Sequence, residues 1–148
     1  MNEKLEVLLS TLIVAHANFR TLHWMSCGKK FDRQHSLSAE YEEMVAESID
    51  AVAEILLRYQ NRVPTLSEAI SKSAIQLIDG GQPIQYDSFN AHVGTQLSRI
   101  LSSILTVLND DSIQNDIRNV GVKADLEGLM SKYDLQLRYL HAHRVREY

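Results

Sequence analysis

Apolar side chains return every three or four positions along most of this 148-residue chain, and that period dictates helices. Leu5, Leu8, Leu9, Leu12, Phe19 and His23 fall on one arc at roughly 100° per residue, so residues 5–24 read as a first helix. Gly28 ends it in the manner of a C-cap glycine, and Asp32 is placed to cap a second helix running to about Gln60. Leu37, Tyr41, Met44, Val45, Val52, Ile55 and Leu56 make the apolar arc of that helix. Pro64 and Thr65 break the pattern, and Gly80-Gly81-Gln82-Pro83 breaks it again, leaving residues 66–78 as a short helix inside a long connection. A third helix fits 87–108 and a fourth about 122–145, beyond an irregular stretch at Asn109-Asp110-Asp111. Four long helices with one long middle crossover make an all-α four-helix bundle, with a short extra helix between helices two and three.

Residues 1–148 form a single domain: the length suffices for a buried core, and two prolines with six glycines leave little room for a linker. Fifteen basic against nineteen acidic residues give a net charge of −4, which argues against a general nucleic-acid binder. Cys27 is the single cysteine, so no disulfide forms within the chain. Its expected role is that of a small half-buried residue at a helix end, and the expected compartment is the reducing cytoplasm. Residues 5–17 are apolar and contain Ala15-His16-Ala17, but the preceding Met-Asn-Glu-Lys-Leu-Glu lacks the positive charge of a signal peptide. Nowhere do about 18 apolar residues run together, so no membrane-spanning helix is expected. Nucleophilic triads, phosphate-cradling glycine loops and cysteine-based zinc patterns do not occur.

The chemistry gathers between residues 23 and 54. His23 and His35 stand twelve positions apart, and Asp50 and Glu54 are spaced i, i+4 on the second helix. Imidazole and carboxylate together suit a borderline divalent ion such as Fe(II), Mn(II) or Zn(II). Glu43, Glu47, Asp50 and Glu54 fall within roughly 60° of helical arc. Such a stripe is ordinarily a solvated face, yet its like charges repel one another, and a metal would relieve that. His16, one heptad before His23, reads as a satisfied core or interface residue. Asp32 and His35 make an i, i+3 pair, with Asp32 the more natural helix cap. Trp24, Tyr41 and Tyr59 read as core or interface packing, or as carriers of oxidising equivalents. The basic His141-Ala142-His143-Arg144-Val145-Arg146 suits a helix carboxy-terminus or a phosphate contact.

At His23-Trp24, Gly28-Lys29-Lys30-Phe31, His35, Tyr41 and Asp50-Ala51-Val52-Ala53-Glu54 the chain resembles the Dps family, the ferritin-like mini-ferritins that protect DNA during starvation. The likeness continues more weakly through Pro64 and Ser73-Ala74-Ile75 to Ala124-Asp125-Leu126. Family members place an Asp or Glu four residues after the second histidine, where this chain has Ala39 with Glu40 beside it. The family's Asn after His-Trp is Met25, and the Arg following its Glu is Ile55.

The resemblance implies a hollow dodecamer of ferritin-like bundles. It further implies a ferroxidase that oxidises Fe(II), preferably with hydrogen peroxide rather than oxygen, and stores ferric mineral against oxidative stress. The metal ligands and catalytic residues would be His23, His35, Asp50 and Glu54, the histidines from one subunit and the carboxylates from its two-fold mate. A larger 24-subunit ferritin is disfavoured, because no helix carries the Glu-x-x-His diiron signature. The rival reading is a Dps-like structural or DNA-compacting shell with an impaired metal site. Family members that bind DNA often use a lysine-rich amino-terminal extension; here only Lys4 precedes the helix, and DNA binding is expected to be weak or absent.

Overall fold

In a computed structural model of the protein, which describes the backbone of residues 1–146 and side chains through Ala142, buried side chains repeat at alternating steps of four and three residues. Helix α1 (Asn2–Met25) buries Leu5, Leu8, Leu12, Ala15, Phe19 and Leu22. Helix α2 (Phe31–Leu56) buries Gln34, Ser38, Tyr41, Val45, Ser48, Val52 and Ile55. Helix α4 (Tyr86–Leu108) does the same with Phe89, Val93, Gln96, Ile100, Ser103 and Val107. Helix α6 (Val120–Arg146) contributes Val122, Leu126, Leu129 and Tyr133. Steps of this kind keep one seam facing a neighbouring helix, as in antiparallel bundles. The four long helices share one core, and among the described residues no helix is long and apolar enough to cross a membrane.

Three helix ends differ from the sequence expectation. α1 ends at Met25, and its cap residue is the extended Ser26 rather than Gly28. Gly28 shapes the turn that follows, at a φ of +98° where a side chain would be strained. Lys30, not Asp32, occupies the cap position of α2, with no side-chain cap; Asp32 lies inside the first turn, where its charge suits the helix dipole. α2 itself stops at Leu56 rather than Gln60.

The crossover from α2 to α4 holds the short helix α3 (Leu66–Lys72), capped reciprocally by Thr65 and Glu68. It ends at Lys72 rather than running on to residue 78. Beyond it the backbone pairs with α1 instead of with itself. Ala74 N–H donates to Thr11 Oγ1 (2.9 Å) and Ile78 N–H to Asn18 Oδ1 (2.8 Å). The buried Asn18 amide nitrogen donates in turn to the Gln76 carbonyl and to Gln96 Oε1, both at 2.9 Å. Ile84 pairs with the turn after α1, donating to the Met25 carbonyl (2.7 Å) and accepting from Cys27 N–H (3.0 Å). The irregular stretch before α6 contains helix α5 (Asp111–Asn115), capped by Asp110, and a 3-10 turn at Ile117–Asn119 capped by Asp116.

Candidate metal centre

The end of α1 and the start of α2 bring His23 and His35 into contact. Their rings stack with centroids 3.7 Å apart and 25° between planes, and Phe31 covers His35 at 5.2 Å. Each Nδ1 lies against the other residue's backbone carbonyl: His23 Nδ1 is 3.0 Å from the His35 oxygen, and His35 Nδ1 is 3.2 Å from the His23 oxygen. A carbonyl only accepts, so each Nδ1 carries the proton and donates. A neutral imidazole then keeps its lone pair on Nε2, and neither Nε2 has a hydrogen-bond partner among the described residues. That is the tautomer a metal needs, held by the backbone rather than by a carboxylate. The Ser38 hydroxyl, which donates to the Gln34 carbonyl at 2.8 Å, lies 3.4 Å from His23 Nδ1 and packs the back of the pair.

Asp50 and Glu54 are exposed on one side of α2, together with Glu43 and Glu47. At 1.5 Å per residue they lie about 22 and 28 Å along the helix from His35. No single ion can be shared over that distance. Among the described residues no three His, Cys, Asp or Glu side chains of one chain form a metal-holding group. Ala39 is exposed, with Glu40 exposed beside it.

Several neighbours behave differently from a ligand set. His16 is half-buried with Nε2 3.5 Å from Glu42, a carboxylate that also receives Arg20 at 3.1 Å, so His16 faces a partner within its own chain. Tyr41 is buried against Phe19, ring centroids 5.4 Å apart, and burial pushes its phenol pKa up. The Tyr59 hydroxyl donates to Asn119. Trp24, by contrast, is 67% exposed, with the Arg20 guanidinium 5.4 Å from its ring. Cys27 is half-buried in the turn between α1 and α2. The side chains of Arg144 and Arg146 lie outside the described residues. Sequence reasoning missed Ser38 and the reciprocal carbonyl bonds, because only the fold brings residue 23 to residue 35.

No family model matches the sequence, and no curated protein does. Solved structures do match the fold. Dps from Vibrio cholerae O1, described as a member of a broad superfamily of ferritin-like diiron-carboxylate proteins, superposes with a TM-score of 0.85 at 21% identity. That match covers 95% of this chain and 86% of the other. Dps from Listeria monocytogenes gives 0.85 at 20% identity, over 96% of this chain and 91% of its own. A Listeria innocua Dps variant with two histidines replaced by glycine gives 0.86 at 17% identity, over 96% and 92%. The bundle is therefore ferritin-like. Within that class its fold is that of Dps, with the short helix in the crossover between the second and third long helices.

Proposed function

We propose that the chain is a Dps-type ferroxidase and iron-storage protein whose metal site is completed between two copies. The observation that carries this reading is the His23–His35 pair, with both Nδ1 atoms bound to carbonyls and both Nε2 lone pairs free. The Listeria innocua variant has its two replaced histidines likewise twelve positions apart. Two copies of α2 packed antiparallel about a two-fold axis near Glu43–Met44 would bring His35 of each to Asp50 and Glu54 of the other. The separation of about 22–28 Å within one chain then becomes a meeting across the axis. The acidic stripe, self-repelling in one chain, would gain its counter-charge from bound Fe(II).

Fe(II) is the substrate. Two ions each give up one electron, and hydrogen peroxide takes both with two protons; its O–O bond breaks and two waters leave. His23 and His35 supply neutral donors that tolerate Fe(II), while Asp50 and Glu54 supply the anionic oxygens that favour Fe(III). Twelve copies would enclose the ferric product as mineral and keep iron and peroxide from reacting in free solution, which protects against oxidative damage.

Anaerobic titration with Fe(II), followed by one addition of peroxide, tests this. Trp24 adjoins His23 and is the chain's single tryptophan, so quenching of its fluorescence reports loading separately from oxidation. The expected result is saturable quenching, then oxidation faster with peroxide than with oxygen, with soluble product. Glu54→Ala or Asp50→Ala should slow oxidation by about tenfold or more, the scale seen when groups supporting a metal site are lost. Peroxide consumption no faster than in a buffer blank sinks the ferroxidase reading. Ala39 favours a second reading, a shell with an impaired site; quenching without turnover would support it.

A further inference from the structure

The amino-terminal halves of α2 and α4 and the carboxy-terminal half of α6 border a partly open cavity of about 260 Å³ that the iron chemistry does not use. Leu37 faces it. His35 lies two residues back, about 200° around the helix, so the cavity is on the far side of α2 from the histidine pair. Its lining includes two polar side chains that are mostly buried but take no hydrogen bond within the chain. Asn90 is 6% exposed, and so is Tyr41. Neither the Asn90 amide nor the Tyr41 hydroxyl has a hydrogen-bond partner among the described residues. Both polar groups keep contact with solvent, so each is open to hydrogen-bond a molecule that enters this space.

The rest of the lining says what that is. Tyr86 and Tyr139 join Tyr41 in the lining, and aromatic residues around one space suit a flat body. Arg33 and Glu40 are exposed on α2 and also border the space; no ion pair joins them, and their charges cancel. A multiply charged anion would meet Glu40 and a cation would meet Arg33. The volume is below the roughly 300–1,000 Å³ of sites for drug-sized ligands, which limits the occupant to a small molecule. An Asn amide presents a donor and an acceptor side by side and pairs with a complementary edge, as it does with adenine.

We propose that this cavity binds a small, flat, uncharged heteroaromatic molecule with adjacent donors and acceptors on one edge, the chemistry of a free nucleobase or nucleoside. The Asn90 amide and the Tyr41 hydroxyl read the edge, and the tyrosine rings hold the faces. The proposal is independent of the iron site and stands or falls without it.

Saturation-transfer NMR and equilibrium dialysis of adenosine and guanosine against the assembled protein test it. The expected result is saturable binding of one of them, one per chain. Asn90→Leu should weaken it about tenfold or more, since a site built around a hydrogen-bonded edge loses most of its selectivity with that group. Tyr41→Phe removes a single oxygen and should weaken binding several-fold; it serves as the readout if Asn90→Leu does not fold. p-Cresol, flat but lacking the edge, should compete poorly. The proposal is overturned if neither nucleoside binds saturably at millimolar concentration, or if folded variants bind like the parent. It is likewise overturned if p-cresol displaces the nucleoside equally well. An adenine oligonucleotide should not compete; tighter binding of the oligonucleotide than of adenosine would assign the site to nucleic acid and overturn it.

Discussion

An aspartate at position 39 would stand one turn beyond His35 on the exposed side of α2, where Ala39 offers no ligand. Ala39→Asp adds a hard anionic oxygen to an imidazole pair whose Nε2 atoms are free, so Fe(II) affinity should rise by about tenfold. It also lengthens the acidic stripe, at a cost of a few tenths of a kcal/mol per like-charged neighbour. Anaerobic calorimetry of both forms checks it; unchanged affinity would mean that Glu40 or Glu43 already fills the position. A second residue-scale effect sits in the core. Ser48 donates to the Met44 carbonyl at 2.9 Å, so at the 2.8 Å contact Tyr133 must donate to Ser48. Burial pushes the Tyr133 phenol up to about 12, against about 10 for a free tyrosine. The folded state holds this proton more tightly than the unfolded state. Its contribution is therefore complete below pH 10 and lost as pH rises through 12. Tyr133→Phe should cost about 1 kcal/mol at pH 7, the worth of one hydrogen bond. Denaturant unfolding at pH 7 and 11 should then show a smaller alkaline loss in the variant than in the parent. An equal loss would place the alkaline sensitivity elsewhere.

Asn18 shows how an element can be fixed by a residue that no periodicity points to. Its amide holds the crossover at Gln76 and Ile78 and reaches Gln96 on α4, three bonds from one side chain. Asn18→Ala should cost about 3 kcal/mol, because buried donors and acceptors are left without partners. Hydrogen exchange around residues 76–78 should speed up before the rest of the bundle opens; uniform acceleration would mean that the crossover is not separately held. The same bonds explain why α3 stops at Lys72. Residues 66–78 are apolar at helical spacing, but after Lys72 the backbone donors of Ala74 and Ile78 go to Thr11 and Asn18 on α1. Local pattern cannot see a partner sixty residues away. The four long helices were legible because their seams repeat in sequence, and the crossover because Pro64 and Pro83 bracket it. Asp110 and Asp116 were not legible as caps, since their role depends on where the chain turns. Gly28 was legible as a punctuation point but belongs to the turn rather than to the helix end.

Assembly is the scale at which the proposed metal site would be completed. His23 and His35 could be picked out by type and spacing, and the fold joins them; Asp50 and Glu54 could be picked out by their i, i+4 spacing, and one chain leaves them about 22–28 Å from His35 along α2. The physical reason is that a two-fold axis writes no signal into a single sequence. Twelve chains of 16.8 kDa would make a particle of about 200 kDa, and light scattering at neutral pH should find it. A monomer at micromolar concentration would remove the shared site with it. The proposed shell also bears on nucleic acid. Affinity for duplex DNA comes mainly from Lys and Arg displacing condensed counterions, so it follows the number of phosphates neutralised. A net charge of −4 on each of twelve copies would be about −48, and a net field of that sign opposes the approach of a polyanion. The expected outcome is no retardation of plasmid DNA in a gel-shift assay at about 150 mM salt, where the Debye length is about 8 Å. Arg144 and Arg146, repeated around a shell, are the feature able to defeat this. Should the parent retard plasmid and Arg144→Ala/Arg146→Ala abolish the shift, local positive charge outweighs net charge and the carboxy-terminal segment is a DNA contact.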